Sequence, residues 1–401
     1  MSQERRYPGV AMIRGSYRTA MFRSGTPPVA VPSPILDAPS GAPVVPFRRA
    51  TTEKVSQLTA EAFTAATTRT QFNRVIEENG FLYGIVLDSV AVTAANALAV
   101  TFTEDAPFIA YDSIVLADSA GELVNVNGMD LFVQNLAARQ YAVDPWHLSA
   151  ELFTATAGAA ATGGTIRFLL RVPCGVNRRS LSGIVGNQDR ATKYQLRTDW
   201  AASASIWATA PTTLPPVTIT KLYEKYTVPA GEVQVGRSRI AQEQVPPDYG
   251  RLHFITANNF EASPTASTTQ NHFIRRVGNT IRFIALVFRA GTGTSPRALA
   301  QANAPTRITF KIGDDTLFDE TYRYRRGAMH ERYGFDFPDG VLVYDMIHDF
   351  LNGAGGEIGD DYYYTQGLNN AQFQIVYPAG FTSGGSLRAI TDDLQEVPVA
   401  A

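Results

Sequence analysis

Apolar and polar positions alternate with a period of two over much of the chain beyond about residue 70, the pattern of strands with one face buried. Ile166, Phe168, Leu170 and Val172 alternate with Thr165, Arg167 and Arg171, and Ile308, Phe310 and Ile312 alternate with Arg307, Thr309 and Lys311. Phe373, Ile375 and Tyr377 alternate with Gln372 and Gln374, and Val217 and Ile219 with Thr218 and Thr220. The run 281–288 begins the same way and then turns wholly apolar, as a strand buried on both faces does. Asp118-Ser119-Ala120-Gly121 and Gly313-Asp314-Asp315 supply turn chemistry between apolar runs, so each half of the chain is expected to hold a hairpin. Helical signals are few: 130–143, capped at Asp130 and stopped by Pro145, then 180–191, then 322–333. Many short strands in both halves predict an all-β chain. A length of 401 residues predicts two sandwiches, because one core rarely grows past about 250–300 residues.

Residues 1–50 break the pattern. Seven arginines (Arg5, Arg6, Arg14, Arg18, Arg23, Arg48, Arg49) stand there against Glu4 and Asp37, a net +5, which leaves −7 for the rest of a chain whose total is −2. Pro27, Pro28, Pro32, Pro34, Pro39, Pro43 and Pro46 forbid a long helix or a central strand in the same stretch. The expected organisation is a basic Pro/Arg-rich arm (1–50), a first sandwich (51–235) and a second (236–401), the join falling between Pro229-Ala230-Gly231 and Pro246-Pro247. Thr-Ile-Arg-Phe occurs at 165–168 and again at 280–283, a match read as chance because the flanks diverge.

Composition removes several function classes. Thirty-five Lys+Arg against 37 Asp+Glu lack the basic excess of a nucleic-acid binder, and no apolar run approaches the roughly 18–20 residues of a bilayer span. Cys174, the single cysteine, excludes internal disulfides and multi-cysteine zinc sites. His147, His253, His272, His330 and His348 show no metal-ligand spacing, and neither a Walker loop nor a GxSxG elbow is present. Gly353-Ala354-Gly355-Gly356 has Ile358 where a dinucleotide fingerprint needs glycine, and reads as a loop. The doublets Asp314-Asp315, Asp360-Asp361 and Asp392-Asp393 are expected to be solvated turns rather than metal ligands. No catalytic residue, cofactor or metal is expected. The cluster Tyr322, Arg323, Tyr324, Arg325, Arg326 and Arg332 suits stacking on bases or a protein interface, and the absent basic excess favours the interface.

The order of features resembles tectivirus major capsid proteins. The basic run from Arg325-Arg326 to Gly334, followed by Phe335-Asp336-Phe337-Pro338-Asp339-Gly340-Val341 and Val343-Tyr344-Asp345, is similar to that family's basic helix and the Asp-Phe-Pro-x-Gly-Val strand opening after it. In the first half, 164–173, then Leu181-Ser182-Gly183-Ile184-Val185 and Asn187, then Lys193-Tyr194-Gln195-Leu196 resemble a strand, a small helix and a strand. Residues 130–139 resemble the helix inserted between strands of the first barrel. The arm and the region 347–364 depart from the family pattern.

The resemblance implies a double jelly roll: two eight-stranded antiparallel sandwiches with a few inserted helices. Three subunits would form a pseudo-hexagonal capsomer in the icosahedral shell of a membrane-containing bacteriophage, a virion component assembled in the host cytoplasm. Its implied partners are copies of itself, neighbouring trimers, and vertex (penton) and minor capsid proteins. Arg5, Arg6, Arg14, Arg18 and Arg23 would reach either the anionic lipid of an internal vesicle or carboxylates on neighbouring capsomers. Two rivals stand beside this reading. A carbohydrate-binding or carbohydrate-active double sandwich would use Trp200, Trp207 and Asp360-Asp361, and a tail or spike component would show fibrous repeats, of which none is visible.

Overall fold

The computed structural model describes residues 44–395 except 78–79, 93–98, 139–152, 160–162, 177–180, 189–192, 236–237, 247–248, 262–268, 275–277, 290–296, 298–303, 347–362, 365–369 and 379–384. Sixteen strands carry the architecture. The first eight are β1 (Glu53–Gln57), β2 (Thr70–Val75), β3 (Phe81–Val92), β4 (Tyr111–Ala117), β5 (Glu122–Val126), β6 (Gly163–Pro173), β7 (Gln195–Trp200) and β8 (Pro216–Tyr226). The second eight are β9 (His253–Glu261), β10 (Thr269–Phe273), β11 (Thr280–Arg289), β12 (Arg307–Ile312), β13 (Asp315–Glu320), β14 (Val341–Asp345), β15 (Ala371–Val376) and β16 (Ser386–Leu394). Each set folds the same way. The first forms layers in the order β1-β8-β3-β6, with the strand Phe153–Ala159 added beyond β6, and β2-β7-β4-β5; the second forms β9-β16-β11-β14 and β10-β15-β12-β13. These are two jelly rolls, in which strand n of the first answers strand n + 8 of the second.

The correspondence reaches single residues. In β3 pairing with β8, Leu82 faces Lys225 and Gly84 faces Glu224, so Tyr83 is bulged out. In β11 pairing with β16, Ile281 faces Asp393 and Phe283 faces Asp392, so Arg282 is bulged out at the same third position. The outer strands keep step: Val55 of β1 faces Glu224, and Ile255 of β9 faces Asp392. The repeated Thr-Ile-Arg-Phe falls on β6 and β11, which are not equivalent strands, so it records no common register.

One parallel contact joins the two halves. Val124 and Asn125 of β5 pair with Ile255 and Thr256 of β9, making a single sheet out of one layer from each sandwich. A continuous apolar cluster, from Phe168 and Trp200 in the first sandwich to Phe283 and Phe310 in the second, fills both interiors. The wholly apolar run predicts its own place: every residue of β11 is buried, between β16 and β14. The expected hairpins occur, β4–β5 through Asp118, whose Oδ1 accepts from the amides of Ala120 and Gly121 at 2.7 and 2.8 Å, and β12–β13 through Gly313.

Two helices occupy the same slot. Helix α1 (Gly128–Ala137) follows β5 and helix α2 (Tyr322–Tyr333) follows β13. The bounds of α2 are those expected from the sequence. In α1 the cap lies one turn earlier than expected: Asn127 Oδ1 accepts from the Asp130 amide at 2.8 Å while the Asp130 carboxylate accepts from the Asn127 amide at 2.9 Å, a reciprocal capping box. The helix expected over 180–191 does not form within 181–188. Leu181 (φ 57°) and Gly183 (φ 79°) take left-handed conformations, and a Cβ on Gly183 would meet the Cys174 carbonyl at 2.7 Å, so the chain turns tightly here into the short strand Val185–Gly186. Phe47, in the segment read as arm, is fully buried against Phe81, with ring centroids 5.0 Å apart. A hairpin of Glu232–Val235 with Ser238–Ala241 lies between β8 and β9.

Candidate assembly surface

The expected interface cluster lies on α2, and the helix divides it. Thr321 caps the first turn by accepting from the Tyr324 amide at 3.2 Å, and Gly334, in the left-handed region at φ 76°, ends the last. Met329 and Tyr333 turn inward, and the Val343 amide of β14 donates to Met329 Sδ at 3.3 Å. Four of the six cluster residues are engaged inside the chain. Arg325 lies 4.2 Å over the Tyr344 ring and donates through Nε to the Val343 carbonyl at 2.8 Å. Arg326 donates to the Pro338 and Val341 carbonyls at 3.1 and 3.3 Å. Arg332 Nε lies 2.6 Å from the buried Asp345, whose carboxyl burial pushes up in spite of that arginine. The Tyr322 hydroxyl accepts from the Gly340 amide at 3.1 Å. Arg323 and Tyr324 are exposed, and Tyr324 keeps 62% of its surface in solvent.

In α1, by contrast, all ten residues are buried. Asp130 receives Arg388 of β16, with Nε 2.7 Å from each carboxylate oxygen, and Gln134 Nε2 donates to Asp392 Oδ2 at 3.0 Å. Asn135 Nδ2 donates to the Arg171 carbonyl of β6 at 2.8 Å and its Oδ1 accepts from the Arg171 amide at 2.8 Å. The helix thus ties its own sandwich to the next one.

The seam around α1 is polar and buried. Asp392 accepts from Arg282 at 2.7 Å and lies 2.8 Å from His253 Nε2, while His253 Nδ1 sits 3.2 Å from the Cys174 carbonyl of the first sandwich. Burial alone would raise the Asp392 carboxyl, yet the Arg282 charge and His253 hold it far below the usual carboxylate range. Asp105 accepts from both Arg289 and Arg297, a second ionic tie between the halves. Asp392-Asp393 is therefore not a solvated turn: both residues are buried within β16. A doublet signals solvent only when nothing covers it, and here Asp392 accepts from Gln134 of the first sandwich and Asp393 from Asn279 of its own. Asp314 lies at the exposed β12–β13 turn, and Asp360-Asp361 fall outside the described residues.

Arg5, Arg6, Arg14, Arg18 and Arg23 also lie outside the described residues, as do His147, His348 and the glycine-rich 353–356. Trp200 and Trp207 are buried in the first core, so neither is open to stack on a sugar. Burial pushes the Cys174 thiol up to about 12, so it is not an activated nucleophile. Among the described residues no group of three or more His, Cys, Asp or Glu is placed to hold a metal ion, and no helix is long and apolar enough to cross a membrane.

No family model matches the chain, and no curated protein does. Solved structures do. The major capsid protein (MCP) of STIV superposes with a TM-score of 0.62 at 11% identity, over 87% of this chain and 99% of that one. A capsid chain of PBCV-1 virus gives 0.61 at 13% identity, over 87% and 95%. A chain of Sulfolobus turreted icosahedral virus gives 0.58 at 11%, over 86% and 90%. At these identities the likeness is one of fold, and it agrees with the strand order: the chain has the double jelly-roll fold found in these viral major capsid proteins.

Proposed function

We propose that this chain is the major capsid protein of an icosahedral bacteriophage with an internal membrane. The observation that carries the reading is the pair of matching jelly rolls, fused by a parallel strand pair and a shared core into one unit over Val44–Val397. Such a unit is a third of a six-membered ring: a heterologous contact that closes at three copies sets six similar sandwiches in a pseudo-hexagonal capsomer. We take 51–235 and 236–401 as its two jelly rolls and 1–50 as the arm, whose last residues join the folded unit through Phe47. The role is structural rather than catalytic, its site is the virion after assembly in the host cytoplasm, and its partners are other copies, neighbouring trimers, vertex proteins and minor capsid proteins. Arg323 and Tyr324 are the cluster residues left to meet a partner, since the other four are spent within the chain.

The test is negative-stain imaging of the purified protein on concentration. Hexagonal particles that tile into sheets or shells are expected; particles of one copy that never associate would contradict the proposal. The arm carries a separate claim, that its arginines bind anionic lipid. Capsomers with and without residues 1–26 should differ in flotation with anionic vesicles, and equal flotation would leave the arm as a tie between capsomers.

A further inference from the structure

The seam inside the chain predicts the seam between chains. Where the first sandwich meets the second, two positions are covered: Asp130, the third residue of α1, at 1% exposure, and Ile255 of β9, at 0%. Their counterparts are fixed by bonding rather than by likeness of side chains. Asn127 and Thr321 each cap their helix by accepting from the third helical amide, that of Asp130 in α1 and of Tyr324 in α2. The eighth residue of each helix, Asn135 or Met329, meets the backbone of equivalent strands, at Arg171 of β6 or Val343 of β14. On the sheets, Ile255 faces Asp392 and Val55 faces Glu224, each pair one step beyond the bulge at Arg282 or Tyr83. Tyr324 therefore answers Asp130, and Val55 answers Ile255.

Both counterparts are bare. Tyr324 is 62% exposed and Val55 61%, the two highest values among the exposed large apolar side chains of the described residues. They lie on opposite sandwiches, Tyr324 with the second and Val55 with the first. Strand β1, which carries Val55, and strand β13, which leads into the helix of Tyr324, each end a sheet path, whereas their counterparts β9 and β5 are joined to each other. Among the described residues the second sandwich thus offers an open outer helix face and an unpaired strand edge, and the first offers the matching strand.

We propose that the second sandwich of one copy docks on the first sandwich of a second copy by repeating the internal seam. Strand β13 runs parallel beside β1 of the neighbour, with Phe318 and Asp319 level with Val55 and Ser56, as Val124 and Asn125 stand level with Ile255 and Thr256. Helix α2 lies against β8 of the neighbour. The register that places Arg388 against Asp130 places Thr220 of the neighbour against Tyr324, since Arg388 stands four residues before Asp392 and Thr220 four before Glu224. Tyrosine suits this position, because it brings a large rigid ring to a site that must be made and closed in water. The proposal rests on the capsomer reading above and says how its ring closes.

Cross-linking separates the two. Tyr324→Cys combined with Thr220→Cys introduces a pair in a chain whose one native thiol is buried and held protonated. Treatment of the assembled protein with a short bis-maleimide should give a covalent trimer on a denaturing gel, while either single variant stays monomeric there. If the double variant holds its trimer by light scattering yet yields only monomer on the gel, the docking mode is overturned and the capsomer reading stands. If the unmodified protein forms no trimer at all, both fail. Should the cysteine pair itself prevent assembly, Val55→Asp alone decides: the proposal requires it to shift trimer toward monomer at least tenfold, and an unchanged equilibrium overturns it.

Discussion

Helices α1 and α2 fill the same slot in their two sandwiches and are built from opposite materials. The first, Gly-Met-Asp-Leu-Phe-Val-Gln-Asn-Leu-Ala, is buried on every side; its Asp130 and Gln134 have fixed partners on the neighbouring sandwich. The second, Tyr-Arg-Tyr-Arg-Arg-Gly-Ala-Met-His-Glu-Arg-Tyr, buries Met329 and Tyr333 and leaves its outer face to solvent. Topology alone does not decide which residues a helix carries; what covers it does. The contrast separates a helix covered within the chain from one whose outer face the described residues leave open.

Four measurements sharpen this comparison. The largest effect belongs to the closed seam: Asp392→Ala leaves Arg282 and His253 buried beside a lost anion, and should lower unfolding free energy by about 3–5 kcal/mol in a denaturant melt. Its counterpart Glu224 pairs with Arg171 nearer to solvent, so Glu224→Ala should cost less. Equal losses would mean that the other sandwich adds nothing to the Asp392 site.

Next comes acid. Burial lowers the His272 imidazole to about 4, so the folded protein leaves it uncharged where an unfolded histidine, near 6.5, takes a proton. The stability this histidine confers is complete above about pH 6.5 and falls as the pH drops towards 4, by up to about 3 kcal/mol. His272→Gln should flatten that part of the stability profile. Asp392, whose folded carboxyl is depressed, loses its contribution only below about pH 4, so the two windows are distinct.

Helix caps give a smaller effect. Asn127→Ala should cost about 1–2 kcal/mol and Thr321→Ala about 0.5–1, the first being the larger because its capping box is reciprocal and part-buried. The smallest effect is the most telling: Tyr324→Ala should shift the unfolding free energy of the single subunit by no more than about 0.5 kcal/mol. A large loss there would mean that Tyr324 serves its own sandwich.

How much of this was legible in the sequence depended on what covered each residue. Strands with one wet face, such as β12 and β15, declare themselves by alternation, and α2 declares its ends through Thr321 and Gly334. Strand β1, Glu-Lys-Val-Ser-Gln, lies at a sheet edge with four of its five residues exposed, so it carries no apolar period to read. The seam was hidden for the opposite reason. Asp392, Arg282 and His253 are polar residues in strands, buried where Gln134 and the Cys174 carbonyl of the first sandwich meet Asp392 and His253. Of the cluster on α2, residue type pointed to an interface, but the inward turn of Arg325, Arg326 and Arg332 depends on where β14 passes beneath the helix.

One chain is proposed to supply two of six places in a closed ring. The mass of the purified protein in solution, measured by light scattering across a dilution series, tests it most directly. A particle of three times 43.6 kDa that persists on dilution is expected. A mass of one chain at every concentration would contradict it.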